Sequence, residues 1–247
     1  MGIEWLIVFL ILFVGSFVQG VSGFGFGLLA MGFLPLLFTV KESTLLVVSL
    51  ALVLSVSIAL QLFKHIVWRS LVVILSAALV GRIGAFFILD QYGDQDILKV
   101  FLGIFLICVV IYLFRSKPPN PDRKVNNTWL PIILGLGGGL IGGIYAVGGP
   151  FFVFYYLLLF HDNKYAYSAN LQISFLFTNF ITATLHGVNG DFSLEFLGYF
   201  AIGLVSVIVG SRLGVHFFAK IPQQNIKKIS AIVVAIAAIN LVVSSLL

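Results

Sequence analysis

Charge is what this sequence has least of. Of its 247 residues, 9% are charged and 60% are hydrophobic, against roughly 25% charge in an ordinary soluble domain. Nine acidic and fourteen basic side chains cannot cover a particle of this size in water without leaving apolar patches larger than monomers tolerate. A soluble globular protein is excluded, and the partner of most of the surface is the lipid bilayer. Cysteine is nearly absent. The single Cys108 stands inside an apolar run, which excludes a disulfide framework and a thiolate metal site. Four separated histidines, His65, His161, His186 and His216, stand at expected helix ends and do not form a metal cluster; no cofactor is implied. The pI of about 9.4 does not indicate nucleic acid, because the basic residues lie in short clusters between apolar runs, as topogenic charges do.

What is present is length of apolar chain. Six stretches of spanning length lie near 43–63, 70–89, 97–114, 165–185, 193–218 and 226–247, and each predicts a transmembrane helix. Two more, about 3–38 and 129–160, reach roughly 50 Å as helix against a hydrocarbon core of about 30 Å, and each is interrupted by glycine. No basic region precedes Ile3, so the first stretch is not expected to be a cleavable signal peptide. The expected fold is an all-α integral membrane protein with eight apolar stretches, or 8–10 membrane segments depending on how the broken ones cross.

The interruptions match each other. Gly20-Val21-Ser22-Gly23-Phe24-Gly25-Phe26-Gly27 aligns with Gly143-Ile144-Tyr145-Ala146-Val147-Gly148-Gly149-Pro150 by one constant shift, and Val80-Gly81-Arg82-Ile83-Gly84 aligns with Gly210-Ser211-Arg212-Leu213-Gly214. The chain reads as a tandem duplication within a single membrane domain, 1–247, with repeat 1 over 1–114, a polar linker over 115–128 and repeat 2 over 129–247. If every stretch crossed once, the basic residues outside the two helical arginines would divide evenly. If each broken stretch enters and returns, Lys64, Arg69, Arg115, Lys117, Arg123, Lys124, Lys164, Lys220, Lys227 and Lys228 share one side, and only Lys41 and Lys99 the other. The positive-inside rule favours the second arrangement. It makes the repeats inverted, places the linker in the cytoplasm and puts both termini outside it. Two crossings and a re-entrant hairpin at each break give the same count.

Backbone broken at membrane depth must face protein or a watered cavity. Half-helix N-termini and glycine nests there present N–H groups to anions. The competing reading is close helix packing through the GxxxG pairs Gly23/Gly27, Gly139/Gly143 and Gly210/Gly214, which also leaves a homodimer open. Arginine at bilayer depth costs at least about 2.5 kcal/mol and lines a cavity or has a partner; the alternative for Arg82 and Arg212 is snorkelling to the interface. Neither has a carboxylate deep in an expected helix, so the ligand they imply is an anion, and guanidinium suits a flat oxyanion. The candidate substrate-binding set is Gln19, Ser22, Gly23, Gly25, Gly27, Arg82, Tyr145, Gly148, Gly149, Pro150, Asn170, Gln172 and Arg212. For Asn170, Gln172, Ser174 and Asn179 the competing reading is interhelical hydrogen bonding.

With these motifs in view, the sequence resembles the TauE/SafE family of sulfite exporters and organosulfur-anion transporters over nearly its whole length. Gly20, Gly23, Gly25 and Gly27 match the glycine-rich opening of that family's first half, and Gly143, Gly148 and Gly149 that of its second. Phe26, Ala146 and Pro150 depart from it, as does Ala166-Tyr167-Ser168-Ala169-Asn170 where the family resembles A-x-x-T-S. The resemblance implies a transporter, not an enzyme, that moves sulfite, sulfoacetate or a similar small anion across a bacterial-type inner membrane. Export needs no coupling ion, since an outgoing monovalent anion gains about 2.3 kcal/mol per 100 mV. Uptake of a related anion and a membrane scaffold are the other readings. A third, an intramembrane serine protease, rests on Gly20-Val21-Ser22-Gly23 with His186 as the base; a dinucleotide turn at Gly137–Gly142 lacks any βαβ context.

Overall fold

The computed structural model describes residues 2–115, 129–160 and 162–217, with five further helical positions between 232 and 243. The linker at 116–128, His161 and most of the last apolar stretch lie outside the described residues. Among those described, all regular structure is helical: α1 (Gly2–Ser22), α2 (Phe26–Phe33), α3 (Val40–Leu62), α4 (Trp68–Tyr92), α5 (Asp96–Arg115), α6 (Trp129–Tyr145), α7 (Gly149–Leu159), α8 (Lys164–Asn189) and α9 (Leu194–Phe217), with short 3-10 turns after α2 and α3. By length and composition, α1, α3 with its 3-10 turn, α4 and α9 can each cross a membrane.

Both over-long stretches break where the glycines predict, at residues 23–25 and 146–148. Gly23 has φ 81° and Gly25 φ 113°, a left-handed region that glycine enters without steric cost. The residue aligned with Gly23 in the second break is Ala146, and it too is left-handed, at φ 55°. A side chain there is held against its preference. Each break is tied by side chains. Gln19 Oε1 accepts from the Phe26 amide at the start of α2 (3.3 Å), Gln172 donates to the Gly23 carbonyl (2.8 Å), and Thr44 donates to the Ile144 carbonyl at the end of α6 (2.8 Å).

The ends of the first broken stretch meet. Glu4 at the start of α1 accepts from the Tyr199 hydroxyl (3.1 Å), and Phe38, beyond α2, packs edge-on against the Tyr199 ring with centroids 4.9 Å apart. At the other broken stretch, Tyr155 of α7 reaches the Ser70 carbonyl in the first turn of α4.

Small residues set the two closest helix pairs, and the same packing occurs twice. A Cβ on Gly210 of α9 would meet Phe13 O, Ser16 Oγ and Phe17 N of α1, and a Cβ on Gly81 of α4 would meet Leu136 O, Gly139 C and Leu140 N of α6. Within each pair the helices run parallel. Gly20 lies against Ser211 and Gly214, and Gly143 against Arg82 and Ala85. These contacts superpose Gly81 on Gly210 and Arg82 on Ser211, one residue away from the register that the repeated Arg-x-Gly suggests.

Candidate functional site

The two breaks abut. A Cβ on Gly27 would stand 2.2 Å from the Ala146 carbonyl oxygen, so only glycine lets α2 approach the second break. Between them opens a narrow cleft lined by residues 25–28 and 146–149 with Gln19, Phe24, Ala51, Arg82, Phe175 and Asn179. The first amides of α2 and α7 border it. N-terminal helix amides have no partner within their own helix and carry the positive end of the helix dipole.

Arg82 is the charge in this cleft. It is 3% exposed, and α6 makes room for it: a Cβ on Gly142 would lie 2.8 Å from its Nη2, and one on Gly143 3.3 Å from its Cδ. The guanidinium donates from Nη1 to Thr182 Oγ1 (2.8 Å) and from Nη2 to Asn179 Oδ1 (3.3 Å). Both acceptors are neutral. Among the described residues Nε has no partner, and neither has the buried Nε2 of Gln19. The cleft therefore gathers unpaired donors around one cation, and no described carboxylate forms an ion pair with it.

Of the thirteen residues expected from the sequence, Gln19, Gly25, Gly27, Arg82, Gly148 and Gly149 line the cleft. Pro150 stands in the first turn of α7. Ser22 and Gly23 lie in the break itself, but the Ser22 hydroxyl is engaged with the Val18 and Phe24 carbonyls. It makes no hydrogen bond to His186, which lies in another network. Gln172 holds the Gly23 carbonyl. Tyr145 is buried in the core at the end of α6. Asn170 stands away from the cleft, accepting from the Val67 amide at 3.0 Å where α4 begins. Arg212 is exposed; the one-residue difference in register puts Ser211, not Arg212, on the buried face of α9. The structure thus brings one arginine, not two, to the cleft.

Two participants were missed or undervalued. Thr182 orients Arg82, and His186, in the last turn of α8, is fully buried. The signal was available: Asn170, Ser174, Thr178, Thr182 and His186 recur every fourth residue along α8 and are all buried, a polar stripe about 24 Å long at 1.5 Å per residue. Its α4 side carries Ser70 near Asn170, Arg82 against Thr182, Phe86 against His186 and Asp90 bonded to Asn189. Among the described residues, no three His, Cys, Asp or Glu side chains gather as a metal site.

At one end of the stripe, the Lys41 ammonium bridges Asp90 (3.0 Å) and Asp191 (2.9 Å). Partial burial by itself would raise the Asp191 carboxyl. Donors from Lys41, His186 and Asn189 outweigh it and hold the group below its ordinary value.

The family model described as Sulfite exporter TauE/SafE matches residues 7–241. A probable membrane transporter protein of Methanocaldococcus jannaschii is 24% identical over 245 residues, covering 91% of each chain. A probable sulfite/organosulfonate exporter TauE of Cupriavidus necator is 26% identical over 144 residues, covering 57% of this chain and 56% of its own. No solved structure matches.

Proposed function

The chain belongs to the sulfite exporter TauE/SafE family of membrane transporters, and from that membership we propose that it exports small sulfur-containing oxyanions, such as sulfite, sulfoacetate or a related organosulfonate, through the cleft between its two breaks. It is a multi-pass transporter and not an enzyme. One observation carries the substrate class: a buried guanidinium whose described partners are all neutral faces two helix N-termini and an unpaired amide donor, with no carboxylate among the described lining of the cleft. Such a set is incomplete without a negative ligand, because each unpaired buried donor costs about 1–3 kcal/mol and the uncompensated charge more. Sulfonate and sulfite offer three acceptor oxygens and one or two negative charges. Phe24 and Phe175 supply apolar walls for a short organic tail.

The membrane arrangement we propose is a pair of inverted repeats, 1–114 and 129–247, joined by a cytoplasmic linker, 115–128, in the inner membrane, with both termini on the far side. Four contacts support it. Both ends of the first broken stretch touch Tyr199. Asp90 and Asp191 meet on Lys41, so α4 runs toward that end and α9 runs away from it. Since α1 is parallel to α9 and α6 to α4, α1 and α6 run in opposite directions. The described basic residues Lys64, Arg69, Arg115 and Lys164 then share the opposite end from Lys41 and Lys99, as the positive-inside rule requires for a cytoplasmic face. Alternating access by rocking of one repeat against the other about the cleft is the corresponding motion.

The experiment is flux of sulfite and sulfoacetate in proteoliposomes under an imposed potential, for the wild type and Arg82→Ala. Potential-driven flux that falls at least tenfold in the variant is expected. Flux unaffected by Arg82→Ala would remove the charge from the site, and no flux of either anion from folded wild type would overturn the transport reading.

A further inference from the structure

His186 is fully buried in α8, yet it is the one titratable side chain on the stripe that leads to Arg82. Its Nδ1 is fixed at 2.5 Å from Asp191 Oδ2, and Asp191 is in turn held by the Lys41 ammonium and the Asn189 amide (3.1 Å). An ionised carboxylate at Nδ1 makes that nitrogen the donor, so in the neutral ring the lone pair resides on Nε2. That atom is buried and has no hydrogen-bond partner among the described residues. The ring lies edge-on to Phe86, centroids 4.9 Å apart, one turn along α4 from Arg82, while Thr182, which holds Arg82, is one turn back along α8. The charged groups around the imidazole are Lys41 from α3, Asp90 from α4 and Asp191 from the turn after α8, with Arg82 one turn deeper.

An oriented basic nitrogen without a partner, one turn from an uncompensated guanidinium, has a definite chemistry. A proton from the bulk aqueous pool, bound at Nε2, converts His186 to imidazolium, while the ring keeps its Nδ1–H donated to Asp191. The new charge adds to that of Arg82, so each favours an anion in the cleft and the anion favours the proton by the same factor. We propose that His186 is the site of a proton that is bound and released together with the anion, so that one proton crosses with each dianionic substrate and the pair leaves with one net negative charge, which the membrane potential still drives outward. The inference rests on the transport reading above and deepens it: the cleft takes an anion, and the histidine stripe its compensating cation.

The test uses sulfoacetate, whose charge is constant between pH 6 and 8, at equal concentration on both sides of proteoliposomes with the membrane potential clamped at zero by potassium and valinomycin. A one-unit acid step outside should drive the wild type to accumulate the anion up to about tenfold, the limit for one proton per anion. His186→Gln should still equilibrate sulfoacetate down its own gradient but accumulate none. Asp191→Asn, which frees Nδ1 without removing the imidazole, should lose at least half of the accumulation and keep downhill flux. Wild type that carries sulfoacetate but does not accumulate it overturns this inference alone, as does His186→Gln or Asp191→Asn that accumulates like the wild type. Absence of downhill flux in folded wild type overturns the transport reading and this inference with it.

Discussion

Gly27 of the first break lies directly against Ala146 of the second, with room for a hydrogen but not for a methyl group: a Cβ would stand 2.2 Å from the Ala146 carbonyl oxygen. The obstacle is backbone, which cannot rotate away as a side chain can. Gly27→Ala is therefore expected to part the breaks, with a destabilisation of about 1–3 kcal/mol and loss of flux. Gly84→Ala is the matched control, since its Cβ would meet only the Leu140 side chain at 3.8 Å. A thermal-shift series in detergent with parallel flux assays checks both, and equal behaviour of the two variants would contradict the contact.

The two arginines should separate cleanly. Arg212 is exposed on α9, so Arg212→Ala should keep flux within about twofold, as surface substitutions away from special features do. Gly142→Ala leaves every charge in place but sets a methyl group 2.8 Å from Arg82 Nη2 and 3.0 Å from the Gly148 Cα of the second break. It should reduce flux severalfold by displacing the guanidinium from Thr182 and Asn179. Initial rates at matched protein loading decide between the two positions.

Ala146 carries a left-handed backbone, φ 55°, that a β-carbon disfavours by about 1 kcal/mol or more. Ala146→Gly removes the conflict and should raise the thermal midpoint by about 1–4 °C. Ala146→Val, branched at Cβ, should lower it. A midpoint that falls on Ala146→Gly would show that the methyl group contributes packing worth more than the strain.

Because the Asp191 carboxyl sits below its ordinary value in the folded protein, its contribution to stability is fully present above the unfolded carboxylate value of about 3.9 and is lost as pH falls through the lower folded value. The thermal midpoint of the wild type should consequently drop more steeply between about pH 5 and pH 3 than that of Asp191→Asn, and the two curves should converge at the acid end. Parallel curves over this range would mean that the Lys41, His186 and Asn189 contacts do not bear on folding.

How much of this was legible beforehand depended on which residues carried the message. The first break is declared by glycine, because few other residues serve at φ 81° or 113°, and the second by its glycine match to the first, although its left-handed residue is Ala146. Arg212 could not. Its Arg-x-Gly matches that of Arg82 in letters, but the helix contacts superpose Ser211 on Arg82, and one residue of register turns a helix by about 100°, enough to move a side chain from the interior to the exterior. For Ser22 and Asn170 the sequence could not choose between ligand contact and packing, because their backbone partners are invisible in it. Thr182 and His186 were hidden for the opposite reason: each is unremarkable alone, and only their fourfold spacing with Asn170, Ser174 and Thr178 marks a buried polar face. The last apolar stretch lies largely outside the described residues.

The crosswise pairing of α1 with α9 and α4 with α6 bears on how the chain matures. Ser16 and Ser206, 190 positions apart, are in contact through the Ser206 carbonyl, so α1 enters the bilayer long before the helix it belongs beside has been synthesised. At about 5–20 residues per second the wait is about 10–40 s, during which the small-residue face of α1 has only lipid, its own half or the insertion machinery for company. Neither half can reach its final packing alone, and a ribosome that stalls in the linker leaves a fragment with two unsatisfied seams, the kind of intermediate that membrane quality control is built to recognise.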